Sequence, residues 1–220
     1  MSKSASNIAD KNIVDRSRTR RNKAVFDAVK STRERLQYGG VGTVAFECEM
    51  LQMHIAETLY GATIMPLFIL LATGIGVYIT RDIEIVGWTL LALSGHALAL
   101  IFARKAQKQT ITPANVNRWV STFLAVQIII GLIWALFAGY PMGAKDAALP
   151  MFYKGATLLI ALSITAMSNF MLRRAILMTF LPVLMALGIN AATSQDPMAI
   201  GMALMFFMAM LFCHYITRRL

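Results

Sequence analysis

The chain has 220 residues, of which 57% are hydrophobic and 15% charged, and its mean hydropathy is +0.60. This composition is too apolar for an ordinary soluble domain and predicts a protein that lies in the lipid bilayer. The net charge of +10 would suggest nucleic acid only if the basic residues formed a patch on a folded surface, and because they flank apolar segments instead, no nucleic-acid partner is expected.

The N-terminal part of the chain precedes the apolar segments. Residues 1–21 are polar and basic and lack the hydrophobic core of a cleavable signal peptide, so they are interpreted as a flexible tail beside anionic headgroups or as a solvated charge run. Residues 22–57 are predicted to form cytosolic juxtamembrane helices. The first of these is amphipathic, over 22–38, and suits the membrane surface or a partner helix, whereas the second begins near Phe46 and continues into the first span.

Six apolar runs are long enough to cross about 30 Å of hydrocarbon as helices. The predicted fold is therefore all-α, a polytopic six-helix transmembrane bundle over 58–217. Residues 218–220 are expected to form a cytosolic end that leads to an absent output domain. The predicted spans are 58–80, 85–103, 119–140, 151–172, 175–192 and 198–216.

The distribution of charge predicts the topology. With six spans both termini share one side, and 18 of the 21 Lys and Arg residues lie on that side. The three others are Arg81, Lys145 and Lys154. The positive-inside rule then places both termini in the cytosol of a bacterial inner membrane, where Cys48 and Cys213 would stay reduced.

Several residues within the spans carry structural expectations. Pro66 and Pro182 each remove a backbone hydrogen bond and favour a kink. Gly95, Ala99 and Ala103 recur every four residues and favour close approach of a neighbouring helix. Aromatic residues are expected to form belts at the two membrane interfaces, namely Tyr78, Trp88, Trp134, Tyr140, Phe152 and Tyr153 on the outer side and Tyr60, Trp119 and Tyr215 on the inner side.

Polar residues inside the spans are the candidates for a functional site, because such groups are costly in hydrocarbon. The speculative intramembrane site consists of His96, Gln127, Asn190 and His214. His96 and His214 could ligate haem or a metal, but without family-type spacing a neutral histidine bonded within the bundle is the favoured interpretation. We therefore expect no cofactor.

Two further clusters have a structural and a functional interpretation. Met198, Met202, Met205 and Met208 recur at helical spacing and could bind Cu(I), but packing is favoured because the chain has 15 methionines. A second cluster is interpreted as a solvated helix at the membrane surface, and it consists of Glu47, Cys48, Glu49, His54 and Glu57. No phosphate-binding loop, nucleophile elbow or metalloprotease motif is present in the sequence, and an enzyme is not expected.

Three stretches carry a resemblance to a known family: RNKAVFDAVKSTRERLQY at 21–38, FECEMLQMHIAETL at 46–59, and MFYKGATLLIALSITAMSNFMLRRAILMTFLP at 151–182. Together they resemble the N-terminal membrane region of alphaproteobacterial sensor histidine kinases related to PleC and DivJ. The resemblance implies a basic cytosolic helix, about six spans and a last span that continues into dimerisation and ATP-binding domains. Neither the phosphoacceptor histidine motif nor the ATPase boxes of that family occur in this sequence, so no kinase residue is assigned to any position.

The sequence therefore predicts an inner-membrane sensory and signal-transducing module without the kinase core in this chain, expected to act as a homodimer. Its signal-transmitting end would be Tyr215, Arg218 and Arg219. The alternatives are a small transporter or channel that uses His96, Gln127 and Asn190, the membrane anchor of a cyclic-di-GMP enzyme, and a membrane haem or copper protein.

Overall fold

The computed structural model describes residues 41–141 and 148–219. The expectations for 1–21 and 22–38, and those for Lys145 and Leu220, lie outside the described residues. The described residues from 48 onward belong to one compact unit, whose architecture is given below. The described residues are all-helical, as the sequence predicted, and their helices are α1 Val41–Tyr60, α2 Ile64–Thr80, α3 Ile85–Gln107, α4 Val116–Gly139, α5 Ala148–Ser168, α6 Arg173–Ser194 and α7 Pro197–Arg219.

Five of these helices, α3 to α7, are each long and apolar enough to cross a membrane. Helix α2 has 17 residues, about 26 Å at 1.5 Å per residue, which is short of the hydrocarbon thickness. Only together with α1, from which it is bent by 45°, does it pass as a sixth span. The first predicted span, 58–80, is therefore not one helix: it contains the end of α1, a break at 61–63, and α2.

Helices α4 and α6 make the most extensive contact in the bundle, and α3 packs beside α4 and α7 beside α6. The close approach has a local cause at Gly131, where an added Cβ would lie 2.3 Å from the backbone oxygen of Thr179. On α3, Gly95, Ala99 and Ala103 are all buried, as their spacing predicted. An added Cβ on Gly95 would lie 2.8 Å from the side chain of Ile133, so that this small residue lets α3 approach α4.

The two ends of the bundle differ in charge. We call the end with the α3–α4 and α5–α6 connections the basic end, because Arg104, Lys105, Arg118 and Arg174 lie there. The opposite end, with the α2–α3 and α6–α7 connections, is called the acidic end, since it carries Asp82, Glu84 and Asp196.

The half of the bundle near the acidic end is filled by an aromatic cluster of Phe68, Trp88, Trp134, Phe137 and Tyr153. The ring centroids of Trp88 lie 5.0 Å from Trp134 and 4.5 Å from Phe137. Trp134 is fully buried, and Trp88 and Tyr153 are nearly so. The expected interface belt is therefore wrong for these three residues, because their rings pack between helices, whereas Tyr78 and Phe152 are exposed as a belt requires.

The methionines of α7 lie on a surface groove. Met198, Met202 and Met205 line an apolar groove of about 410 Å³ between α5 and α7, together with Met151 and Phe152. Met202 packs closely on Gly155, where an added Cβ would lie 3.4 Å from the Met202 sulfur. Met198, Met205 and Met208 are 49%, 64% and 62% exposed, so the predicted packing role is supported at Met202 alone.

A polar cavity at the helix break

The break between α1 and α2 has a local explanation in Gly61 and Pro66. The N–H of Gly61 donates to Glu57 O at 2.8 Å and ends α1, and the N–H of Ile64 donates to Gly61 O at 3.1 Å in the turn that follows. A continuous helix would require residue 66 to donate to Ala62 O, and proline has no N–H. Pro66 is instead the third residue of α2, a position where the missing donor costs little. The sequence predicted a kink at Pro66, and the structure has a break one turn before it instead.

A polar cavity of about 70 Å³ lies directly beside this break. By volume it can hold a few water molecules or one small solute. Its walls come from the end of α1, the break itself, α3, α4 and the C-terminal end of α5. The polar side chains that line it are Glu57, Thr58, His96, Gln127, Thr165, Ser168 and Asn169.

An amide network forms one wall of the polar cavity and joins three helices. The Gln127 amide nitrogen donates to Asn169 Oδ1 at 3.0 Å, and the Thr179 hydroxyl donates to Gln127 Oε1 at 2.8 Å. Asn169 in turn donates through Nδ2 to Thr165 O at 3.1 Å. Gln127, Thr179 and Asn169 are buried, so these bonds satisfy groups that would otherwise be costly in the bundle. Each amide group keeps one N–H without a bond among those described.

His96 lies midway along α3 and lines the same cavity. Its Nε2 atom is shielded from solvent and has no hydrogen-bond partner among the described residues. A buried ring nitrogen without a partner is uncommon, and each such group calls for an explanation. No lysine or arginine lines the cavity, and its carboxylate, Glu57, belongs to an exposed residue at the rim.

Glu57 connects the polar cavity to a wider groove at the basic end. That groove has a volume of about 510 Å³ and is lined by Glu57, Ser168, Met171, Cys213 and Ile216 among others. The C-terminal part of α7 therefore borders the same region as the helix break. The polar cavity thus has its rim toward the basic end.

His54 is buried, whereas the sequence predicted that it lies on a solvated helix. Glu47, Glu49 and Glu57 are exposed, as a solvated helix requires, but His54 is only 1% exposed. Its ring packs edge-on against Phe123 of α4 at a centroid distance of 5.2 Å. It interacts with the backbone of Ser168, yet neither ring nitrogen has a hydrogen bond of normal geometry among the described residues. The interpretation of this cluster as wholly solvated is therefore wrong for His54, which anchors α1 on the bundle.

Of the four speculative site residues, the structure brings two together. His96 and Gln127 both line the polar cavity, whereas Asn190 and His214 are not among its lining residues. Asn190 lies 11 residues after Thr179 on α6, toward the acidic end. Tyr215 is exposed on α7, and that helix continues to Arg219.

Sequence reasoning missed the partners of Gln127. Asn169 and Thr165, to whose carbonyl Asn169 donates, both lie in the predicted span 151–172. The cost of burying the Asn169 amide in a span was the signal that could have marked it as a site candidate. Thr179 offered no signal, because a threonine can bond to its own helix, as this one also does to Ala175 O at 2.8 Å.

A second polar cluster lies at the acidic end. The Tyr140 hydroxyl, just beyond α4, bonds to the carboxylate of Asp82 and lies 3.0 Å from the carboxylate of Glu84. The hydrogen bond from Tyr140 lowers the pKa of Asp82, and the same bond raises the pKa of Tyr140. Asp82 and Tyr140 are partly buried and Glu84 is exposed, and the cluster connects the α2–α3 loop to the residue that follows α4.

Lys154 was expected on the outer side and within the predicted span 151–172, and the structure places it near the acidic end. It lies inside α5, is 4% exposed, and donates to Ala138 O at 3.1 Å and to Tyr140 O at 2.7 Å. These carbonyls lie at the C-terminal end of α4, where backbone acceptors lack helical partners. Lys154 thus caps α4 from a neighbouring helix.

Within 41–141 and 148–219 no group of three or more His, Cys, Asp or Glu residues is arranged to hold a metal ion. Comparison of the chain with protein-family models, with curated proteins and with solved structures finds no match.

Proposed function

We propose that this protein is a membrane-embedded sensory and signal-transducing module. The observation that carries the proposal is the position of the polar cavity beside the break between α1 and α2. A change in the contents of this cavity acts directly on the joint of a bent helix pair. Shifts of about 1–2 Å at helix ends are sufficient for switching in other systems.

Two helices would carry such a shift out of the bundle. Helix α1 leads from the break toward the N-terminal segment, and α7 continues without interruption to Arg219. Of the five helices that could each cross a membrane, α7 is the least buried: 17% of the residues in its apolar part are buried inside the bundle. Among the described helices it packs on α6 and α5 alone, and the rest of its surface is left for a partner helix, which suits an output element.

The aromatic cluster favours sensing over conduction. Between the polar cavity and the acidic end the bundle is filled by buried side chains, among them Ile69, Trp134 and Phe137. A solute could reach the cavity from the basic end, but crossing would require these rings to move apart. The geometry therefore supports binding from one side.

The placement of this module in the cell follows from charge and is part of the proposal. The positive-inside rule assigns the basic end, and with it both termini, to the cytosol of a bacterial inner membrane. The resemblance of the sequence to sensor histidine kinases supports a homodimer that acts on a cytosolic output domain. In this proposal the catalytic step belongs to the output domain or protein.

The test is a fusion of a histidine-kinase core after Leu220, with one to three alanines inserted at the junction. Each inserted residue rotates the core by about 100° relative to α7, so we expect autophosphorylation in membranes to change with the insertion. A seven-residue insertion returns the register to within about 20° and is the matched control, which should restore the original rate. Equal rates for all insertions would contradict signalling through α7.

A small transporter is the second candidate, and the broken span favours it. Discontinuous helices beside a polar cavity at membrane depth are the usual substrate sites of transporters. Flux of small polar solutes into proteoliposomes tests this function. Flux equal to that of protein-free liposomes would exclude it for those solutes, and flux unchanged by His96→Ala would exclude a pathway through the polar cavity.

A further inference from the structure

We propose that the polar cavity is a binding site for a small, uncharged solute that carries both a hydrogen-bond donor and an acceptor. This inference rests on the proposed function, since it names the ligand class to which the module would respond. It is carried by three features of the cavity: its volume, the unpartnered Nε2 of His96, and the charges that line it.

Volume limits the size of the ligand. A cavity of about 70 Å³ is roughly half as large as one that holds benzene, which has six non-hydrogen atoms. The ligand therefore has about three or four non-hydrogen atoms. A ligand held wholly inside the cavity is therefore smaller than a sugar, a nucleotide or most amino acids.

The polar groups require a ligand with both a donor and an acceptor. The inference requires the neutral His96 tautomer that carries its proton on Nδ1, in which Nε2 is an acceptor. The spare amide N–H groups of Gln127 and Asn169 offer donors.

Charge excludes two other classes. An anion would find no lysine or arginine in the lining and would meet the Glu57 carboxylate at the rim. A metal ion would find too few ligands, because the described residues hold no group of three suitable side chains. An uncharged amide, urea-like compound or small alcohol satisfies the cavity without the cost of burying a charge.

Acetamide and acetone form a matched pair of probes. Each has four non-hydrogen atoms in the same arrangement, and acetone lacks the N–H donor. Binding to the full chain in lipid nanodiscs is measured by saturation transfer to the ligand, together with the ¹⁵N shift of the His96 side chain. We expect acetamide to bind at least about tenfold more tightly than acetone, which is the effect of one hydrogen bond of about 1.4 kcal/mol, and to shift the His96 signal.

Three variants of α3 test whether acetamide binds in the polar cavity. His96→Leu should weaken acetamide binding about tenfold or more. Ser94→Ala, two residues away on the exposed face of α3, should leave it unchanged. His96→Asn keeps a polar side chain and guards against loss of binding through misfolding, because it should retain more affinity than His96→Leu.

Equal binding of acetamide and acetone, or acetamide binding that His96→Leu leaves unchanged, would overturn the proposal, as would a cavity that exchanges only water. The assay needs no output domain, and the insertion series at Leu220 needs no ligand. Absence of binding with register-dependent output would refute the ligand class alone, whereas binding with register-independent output would refute signalling through α7.

Discussion

The two halves of the bundle use opposite means of holding their helices together. The half near the acidic end is joined by buried aromatic rings and by hydrogen bonds to backbone carbonyls, such as Tyr153 OH to Ala72 O at 2.7 Å. The half near the basic end has a broken helix, an amide network and a polar cavity. Inside a bilayer, packing can supply stability without polar groups. The polar half also holds the unpartnered Nε2 of His96, which packing does not explain and which motivates the proposed binding site.

Removal of the Trp134 ring from the aromatic cluster should have the largest effect on the free energy of unfolding. Trp134 is fully buried and lies among Phe68, Trp88 and Phe137. Trp134→Ala should lower the free energy of unfolding by about 3–5 kcal/mol, measured by denaturant titration in micelles. Leu136→Ala, two residues away on an exposed face, is the control and should change it much less. Equal losses would contradict a packed acidic half.

The contact between α4 and α6 is the most extensive in the bundle. A substitution there should have the next largest effect on the free energy of unfolding. In Gly131→Ala the new methyl group would meet the backbone of Thr179, which cannot move aside as a side chain can. We expect a loss of about 1–3 kcal/mol, the usual cost of overpacking. Gly188→Ala on α6, with open space around it, should be neutral. Unfolding of both variants at the same midpoint would contradict the close contact between the α4 and α6 backbones at Gly131.

The amide network should contribute less than the packing. A double-mutant cycle of Gln127→Leu and Thr179→Val isolates their hydrogen bond. Polar pairs inside membrane proteins couple by about 0.6 kcal/mol on average, up to about 1.7 kcal/mol. A value in this range is expected from unfolding of the four proteins. Coupling near zero would mean that Gln127 and Thr179 do not meet.

The smallest expected effect is at the acidic end and depends on pH. Because Tyr140 lowers the pKa of Asp82 below its ordinary value of 3.8, their bond stabilises the fold above that pH, and the stabilisation is lost as the pH falls through the lowered pKa. Tyr140→Phe should therefore lower the unfolding midpoint slightly at pH 7, and the difference should shrink in acid. Exposed Tyr78→Phe is the control, and a difference that grows in acid would contradict the assignment.

The sequence predicted the all-α membrane fold well because apolar length alone determines it, and it predicted the buried face of Gly95, Ala99 and Ala103 from their spacing. It failed where three-dimensional neighbours decide the outcome. Trp88 and Trp134 have the amphipathic character of interface residues, yet their rings pack between helices. Gln127 was a candidate from its depth alone, but its partners Asn169 and Thr179 are 42 and 52 residues away in sequence and could only be found in the fold.

The most direct test of the central claim compares one substitution from each half in the kinase-core fusion at Leu220. His96→Leu changes the polar cavity, and Tyr153→Phe removes a buried hydrogen bond from the aromatic half. At equal protein levels in membranes, we expect His96→Leu to shift autophosphorylation and Tyr153→Phe to leave it unchanged. A shift produced by Tyr153→Phe but not by His96→Leu, or no shift from either, would contradict a sensory role for the polar half.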